Sequence, residues 1–258
     1  MNYPILEFDD DRQAALEPHK LLKPVEDIPQ RAVICFFNDV LVALAETGRL
    51  EPIRHLGSEM GRIPVQRLRT ENGDLTVMQG GVGAALGASF VEELIALGCR
   101  QFIACGGAGV LDSAIDMGSV LLPTEAIRDE GTSYHYLPAG APATPTPAAV
   151  AAIEAALARH GVPYITTKTW TTDAPYRETP GKIARRREQG CLAVEMEAAA
   201  FFAVAQFRGV EFGQMLYGGD DVSAENWDHR GWNTDSSVRE KLFWLAVEAA
   251  LHLPPEAR

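Results

Sequence analysis

The chain has 258 residues, 47% of them hydrophobic and 22% charged, which is ample for a sizeable core in one α/β domain. Its formal net charge of -12 argues against general affinity for nucleic acid or an anionic membrane, since both require a basic face. The acidic start MNYPILEFDDDRQAALEP lacks an apolar signal core, and no apolar run reaches the roughly 20 residues that span a bilayer, so a soluble cytoplasmic protein is expected. Its four cysteines, Cys35, Cys99, Cys105 and Cys191, form no Cys-x-x-Cys pair, and its six histidines do not cluster. Free thiols and no metal site follow.

Residues 1–30 are expected to be irregular, because Pro4, Pro18, Pro24 and Pro29 prevent long helices. His19 in this segment reads as a solvated surface histidine. Residues 31–37 (RAVICFF) form a continuous apolar run of strand length, as in a strand buried on both faces. A helix is predicted over 39–49, then a hairpin of 66–69 with 75–79 around the Asn72-Gly73 turn. The glycine turn Gly80-Gly81-Val82-Gly83 follows, then a helix over 89–97 and a buried strand over 101–105. Glycines let backbone approach a ligand closely, and N–H groups at a helix start can hold an anion. A second cluster, Gly106-Gly107-Ala108-Gly109, is expected just past the strand, so two glycine-rich strand ends suggest one ligand cleft.

A strand is predicted over 119–125, leading into a polar loop that includes Ser133 and His135. Thr146 and Pro147 start a helix that Gly161 ends, and 164–171 (YITTKTWT) is strand-like. A second polar loop carries Asp173 and Tyr176, and Arg185-Arg186-Arg187 reads as a solvated helix face. Residues 193–205 (AVEMEAAAFFAVA) read as an apolar helix with an acidic mouth. Glu195 and Glu197 are two apart and would not share a helix face, so one is expected in a cleft unless both only complement the helix dipole. Residues 214–217 read as a strand ending at Gly218-Gly219-Asp220-Asp221, where open α/β sheets bind ligands. The last helix is expected to start at a capping box near Ser237 and Glu240. No repeat or domain boundary is evident, so 1–258 reads as a single domain.

Taken together, Gly81-Val82-Gly83, Gly106 to Gly109, Glu130-Gly131-Thr132-Ser133, Thr172-Asp173 to Tyr176, Val194-Glu195-Met196-Glu197 and Asp220-Asp221 resemble the nucleoside phosphorylase and nucleosidase superfamily, in its order and over roughly residues 30–250. The resemblance implies a single-domain three-layer α/β/α fold with a mixed, twisted central sheet. It also implies an enzyme that cleaves the N-glycosidic bond of a nucleoside, with no cofactor and with phosphate as co-substrate or water as acceptor. Met196 and Glu197 would hold the ribose, with Glu195 beside them, and Gly107 and Ala108 would line the site. Asp220 or Asp221 would protonate a purine-type base, Asp173 and Tyr176 would belong to the base-stacking loop, and Ser133 or His135 would orient sugar or acceptor. Gly81 and Gly83 would contribute to an anion site. His19 and Arg67 would reach a neighbouring subunit, so at least a homodimer with shared sites is implied.

The departures concern phosphate. Val40 and Ala104 stand where the resemblance expects arginines, and Gly107 stands in place of a threonine. Desolvating phosphate without paired cations is strongly unfavourable. Arg128 and Arg177 are the substitutes the sequence offers, and otherwise the acceptor is water. A non-catalytic nucleoside-binding protein is the alternative, weakened because Glu197 and Asp220 are both retained. A dinucleotide-dependent oxidoreductase is remote, since the second strand ends in Cys105-Gly106-Gly107 with no acidic ribose-binding residue.

Overall fold

A computed structural model describes residues 3–59, 61–224 and 226–255. The β-strands are β1 Arg31–Cys35, β2 Leu50–Ser58, β3 Gly61–Thr70, β4 Gly73–Gln79, β5 Gln101–Val110, β6 Val120–Asp129, β7 Tyr164–Thr172, β8 Cys191–Glu195 and β9 Glu211–Asp221. The helices are α1 Pro18–Leu21, α2 Asn38–Glu46, α3 Ala84–Leu97, α4 Pro147–Arg159, α5 Pro180–Glu188, α6 Ala198–Arg208 and α7 Ser236–Leu251. The strands make one mixed sheet in the order β2-β3-β4-β1-β5-β8-β7-β6-β9. Because β9 also pairs with β5, the last five strands curl round and close on themselves.

Helices cover both faces of the sheet, as the sequence leads one to expect. One core cluster joins β1, β5 and β9 to α2, α4 and α7 through Leu41, Ile153, Phe243 and Ala246. The other faces α3 and α6 through Val91, Leu94, Phe201 and Phe202. Residues 198–205 of α6 are buried all round, so the helix needs no polar face. Gly87 of α3 permits its close approach, since a Cβ there would sit 2.9 Å from Phe201. All four cysteines are buried and free, and among the described residues no helix is long and apolar enough to cross a membrane.

Several local expectations change. The 193–205 stretch is not one helix: β8 runs to Glu195, and α6 begins at Ala198 with Glu197 as N-cap. The second glycine cluster lies inside β5 rather than beyond it. Its glycines serve close packing, because a Cβ on Gly107 would lie 3.1 Å from Tyr217 and one on Gly109 3.0 Å from Val194. Leu50–Ser58 forms an edge strand that carried no clear alternation, with Pro52 at a register irregularity. At α7 the cap is Asp235, whose side chain accepts from the N–H groups of Ser237 and Val238, in place of the predicted box.

One charged residue is less solvated than expected. Arg186 is not on a solvated face: it pairs with Asp129 at 2.9 Å and lies 5.4 Å from the Trp170 ring centre. The N-terminal segment contains little regular structure but is anchored. Arg208 donates from Nε to both oxygens of Glu92 at 2.9 and 2.8 Å and pairs with the buried Glu17 at 3.3 Å.

Candidate active site

The strand-to-helix junction between β8 and α6 sets the positions of Glu195 and Glu197. Glu195 is buried and accepts four hydrogen bonds: Thr171 Oγ1 at 2.6 Å, Thr169 Oγ1 at 3.3 Å, and the N–H groups of Glu197 and Ala198 at 2.7 and 2.6 Å. Burial pushes its pKa up while these donors pull it down. Four donors and no acceptor fit an ionised carboxylate that closes the first turn of α6. Glu197 has less support, one oxygen accepting from the Gly83 N–H at 2.6 Å. Burial first, and then the neighbouring Glu195 charge, raise its pKa to about 8. Glu195 thus holds the backbone, and Glu197 is the adjustable member of the pair.

Both line a cavity of about 260 Å³ together with Met196, Gly106, Gly107 and Val82. The lining also includes Phe36, Phe37, Gln214, Leu216, Tyr217, Trp232 and Arg239. That volume is at the small end for ligand pockets, suited to a compact metabolite. A larger groove of about 1050 Å³ lies between α4, α7 and the β3–β4 turn. There Arg159 and His160 are both paired with Glu248, so we place the chemistry in the smaller cavity.

The two aspartates after Tyr217 have different surroundings. Asp221 is 3% exposed, pairs with Arg230 at 2.7 Å, and accepts from the Ser223 N–H and hydroxyl at 2.8 and 2.6 Å. Asp220 is half-buried beside the β5 glycines, and its Oδ2 accepts from Trp227 Nε1 at 2.6 Å. Glu178 lies close enough for the Asp220 charge to act on it; burial and that charge raise the Glu178 pKa to about 7. Asp221 therefore ties β9 to Ser223 and Arg230, and Asp220 is the less committed of the two. Asp221→Ala should lower stability by about 3 kcal/mol through the stranded Arg230, visible as a fall in Tm of roughly 6–12 °C. An unchanged Tm would show that the ion pair contributes nothing.

The family model of the phosphorylase superfamily matches residues 30–242. The chain belongs to the phosphorylase superfamily. A guanosine phosphorylase of Halorubrum lacusprofundi is 27% identical over 79% of this chain and 86% of its own length. A uridine phosphorylase of Treponema pallidum is 35% identical over 55% of this chain and 59% of its own. Among solved structures, purine nucleoside phosphorylase of Toxoplasma gondii in complex with immucillin-H superposes with a TM-score of 0.74 at 20% identity, over 89% of this chain and 96% of that one. AMP nucleosidase from Bacteroides thetaiotaomicron gives 0.71 at 24%, over 87% and 88%. The fold is therefore that of nucleoside phosphorylases and nucleosidases.

Within this phosphorylase-superfamily chain the remaining predicted residues are dispersed. Tyr176 is 98% exposed on the Pro175–Arg177 turn and does not line the cavity, so it is not stacked there in this structure. Asp173 accepts from the Gly131 N–H at 2.8 Å. Ser133 is buried between Glu130 and Arg128, and Arg128 is committed to Ser133 and the carbonyls of Leu137, Pro138 and Ala141. Arg128 is thus no substitute phosphate cation. His135 lines a separate cavity under the N-terminal segment, and His19 is an exposed residue of α1. Arg67 pairs with Asp74 at 3.3 Å and donates to the Asp27 carbonyl, away from this chain's cavity. Gly81 packs against Leu86 and Phe90, Gly83 gives its N–H to Glu197, and Ala108 is buried in β5. Sequence reasoning missed Phe36, Phe37, Gln214, Tyr217, Trp232 and Arg239. The one available signal was Arg239, a cation in the first turn of a helix, where the dipole disfavours it.

Proposed function

We propose that this chain cleaves the N-glycosidic bond of a purine-type nucleoside, with phosphate or water attacking C1′. One arrangement carries the reading. Strand register sets β8 and β9 on either side of residues 107–110 of β5, with Val194 opposite Gly109 and Asp221 opposite Val110. Glu197 follows β8, and Asp220 is the penultimate residue of β9, so two carboxyl groups flank a stretch rich in glycine. Asp220 lies three residues beyond the cavity-lining Tyr217, about 10 Å further along the strand.

In this reading the ionised Glu197 accepts hydrogen bonds from the 2′- and 3′-hydroxyls, with Met196 against the sugar. The carboxyl of Asp220, oriented by Trp227, gives its proton to N7 as the C1′–N bond breaks and the bonding pair leaves with the base. C1′ becomes cationic and is captured by the acceptor. An acid at this place favours a purine, whose N7 can take the proton. The guanosine phosphorylase relative supports that choice, while the uridine phosphorylases make it one to test.

Product analysis on purine and pyrimidine nucleosides, with and without phosphate, tests the reading. Purine release at least about 100-fold faster than pyrimidine release is expected, in line with the worth of a general acid. Faster pyrimidine cleavage would overturn the base assignment. Binding without turnover on any substrate would overturn the enzyme.

A further inference from the structure

The loop between β7 and α5 brings one more carboxyl toward Asp220. Strand register fixes where that loop starts: β7 runs beside β8, with Thr171 opposite Glu195, and Val194 lies opposite Gly109 of β5. A Cβ on Gly109 would sit 3.0 Å from Val194 and 3.6 Å from Asp220 Oδ1, so the ends of β7, β8 and β9 meet at one end of the sheet. On the loop, Asp173 accepts from the Gly131 N–H, and Thr179 accepts from the Lys182 N–H as the cap of α5. Glu178 lies between them, its own N–H held by the Pro175 carbonyl at 3.3 Å. Its half-buried carboxyl nevertheless forms no hydrogen bond or ion pair with any described residue.

The charged groups that act on Glu178 are Asp220 of β9 and Lys182 of α5. Lys182 pairs instead with Asp129 of β6 at 3.2 Å, so it offers Glu178 no ion pair. Burial and the Asp220 charge then keep the Glu178 carboxyl protonated up to about pH 7. An acid with a free O–H therefore stands next to the carboxyl that serves N7. The 6-substituent of a purine shares that edge of the base with N7. In a 6-oxopurine the edge offers two acceptors, N7 and O6, whereas in adenine it offers the N7 acceptor and the N6 donor. A protonated Glu178 suits O6; an ionised one opposes its charge to O6 but still accepts from N6–H.

We propose that Glu178 donates its O–H to O6 of a 6-oxopurine nucleoside while Asp220 serves N7, which makes Glu178 a base-selecting residue. The assignment rests on the purine-cleavage reading and names the purine class. Glu178 keeps its proton while the C1′–N bond breaks, and the proton transferred to the base is the one from Asp220.

The test is kcat/KM for inosine and adenosine, measured side by side from pH 6 to 8 with phosphate present, for wild type and Glu178→Gln. Proton transfer to N7 is common to both nucleosides, so the titration of Asp220 cancels in their ratio. The wild-type ratio of inosine to adenosine should fall about tenfold, as the protonated fraction of Glu178 drops from about nine-tenths to about one-tenth. In Glu178→Gln it should be flat, because an amide offers N–H to O6 or C=O to N6–H at any pH. Cleavage of both nucleosides with a flat wild-type ratio, or a fall that persists in Glu178→Gln, removes the assignment and leaves the cleavage reading standing. If neither nucleoside is cleaved, the cleavage reading falls, and calorimetric binding of hypoxanthine and adenine decides the assignment. A preference for hypoxanthine that fades from pH 6 to 8 in wild type but not in Glu178→Gln sustains it; pH-independent or undetectable binding of both bases removes it.

Discussion

Asp220→Asn should lower kcat/KM on purine nucleosides by about 10²–10³-fold while leaving Tm within a degree or two, because an amide cannot protonate the leaving base. The half-buried Asp220 makes one contact that asparagine can retain, accepting from Trp227 Nε1. The loss should shrink to under about tenfold on a 7-methylpurine nucleoside, whose base already carries the positive charge that protonation supplies. Equal losses on both substrates would remove Asp220 as the acid. Glu178 adds a pH signature. Held up at about 7 by burial and the Asp220 charge, Glu178 keeps its own proton up to that pH and can resupply the neighbouring Asp220. Turnover of ordinary purine nucleosides should therefore fall as pH rises through about 7, and Glu178→Gln should flatten the fall.

Glu197→Gln should produce a less active but more stable protein. Glutamine can keep the bond from the Gly83 N–H, but it offers the ribose a neutral acceptor. Loss of charge-assisted bonds worth about 1.5–3 kcal/mol each predicts kcat/KM down by roughly 10²-fold. The stability change follows from the raised pKa. Glu197 titrates near 8 in the folded chain against about 4.5 when unfolded, so between these values the folded state binds more protons. Its contribution is complete below about pH 4.5, declines as pH rises, and is gone above about 8. Glutamine does not titrate, so the variant's Tm should exceed wild type by a margin that widens from pH 5 to 8, on the order of several degrees. A parallel pair of Tm curves would mean that Glu197 ionises freely. Nucleoside KM for wild type should fall over the same pH range, because hydroxyl binding requires the carboxylate.

The gain in stability on removing a catalytic carboxylate would have a local cause. Glu195 and Glu197 are two residues apart, and only the first is fully supplied with donors. Two charges cannot both be well solvated in a buried junction, so the charged form of Glu197 is held in a destabilised state.

Much of the fold was legible in the chain because its signals are local. The apolar run of β1, the Thr146-Pro147 start of α4 and the turn before Gly73 each depend on a few neighbouring residues. Where several local signals conflicted, the reading failed: in 193–205 helix-forming alanines concealed a strand ending at Glu195, since partners on β7 fix that backbone. Likewise the glycines of 106–109 looked like a turn, whereas they relieve contacts with Tyr217 and Val194 from other strands.

By itself the sequence determined the family and the alternation of strands and helices, and it named Glu197 and Asp220 as candidates, because these lie in contiguous motifs. Tertiary structure alone separated Asp220 from Asp221, through Arg230 and Ser223 on the following loop. It alone also brought Arg239 of α7 against Asp39 of α2, some 200 residues away in the chain. Motif spacing does not encode such contacts: they arise only when packing places distant side chains side by side.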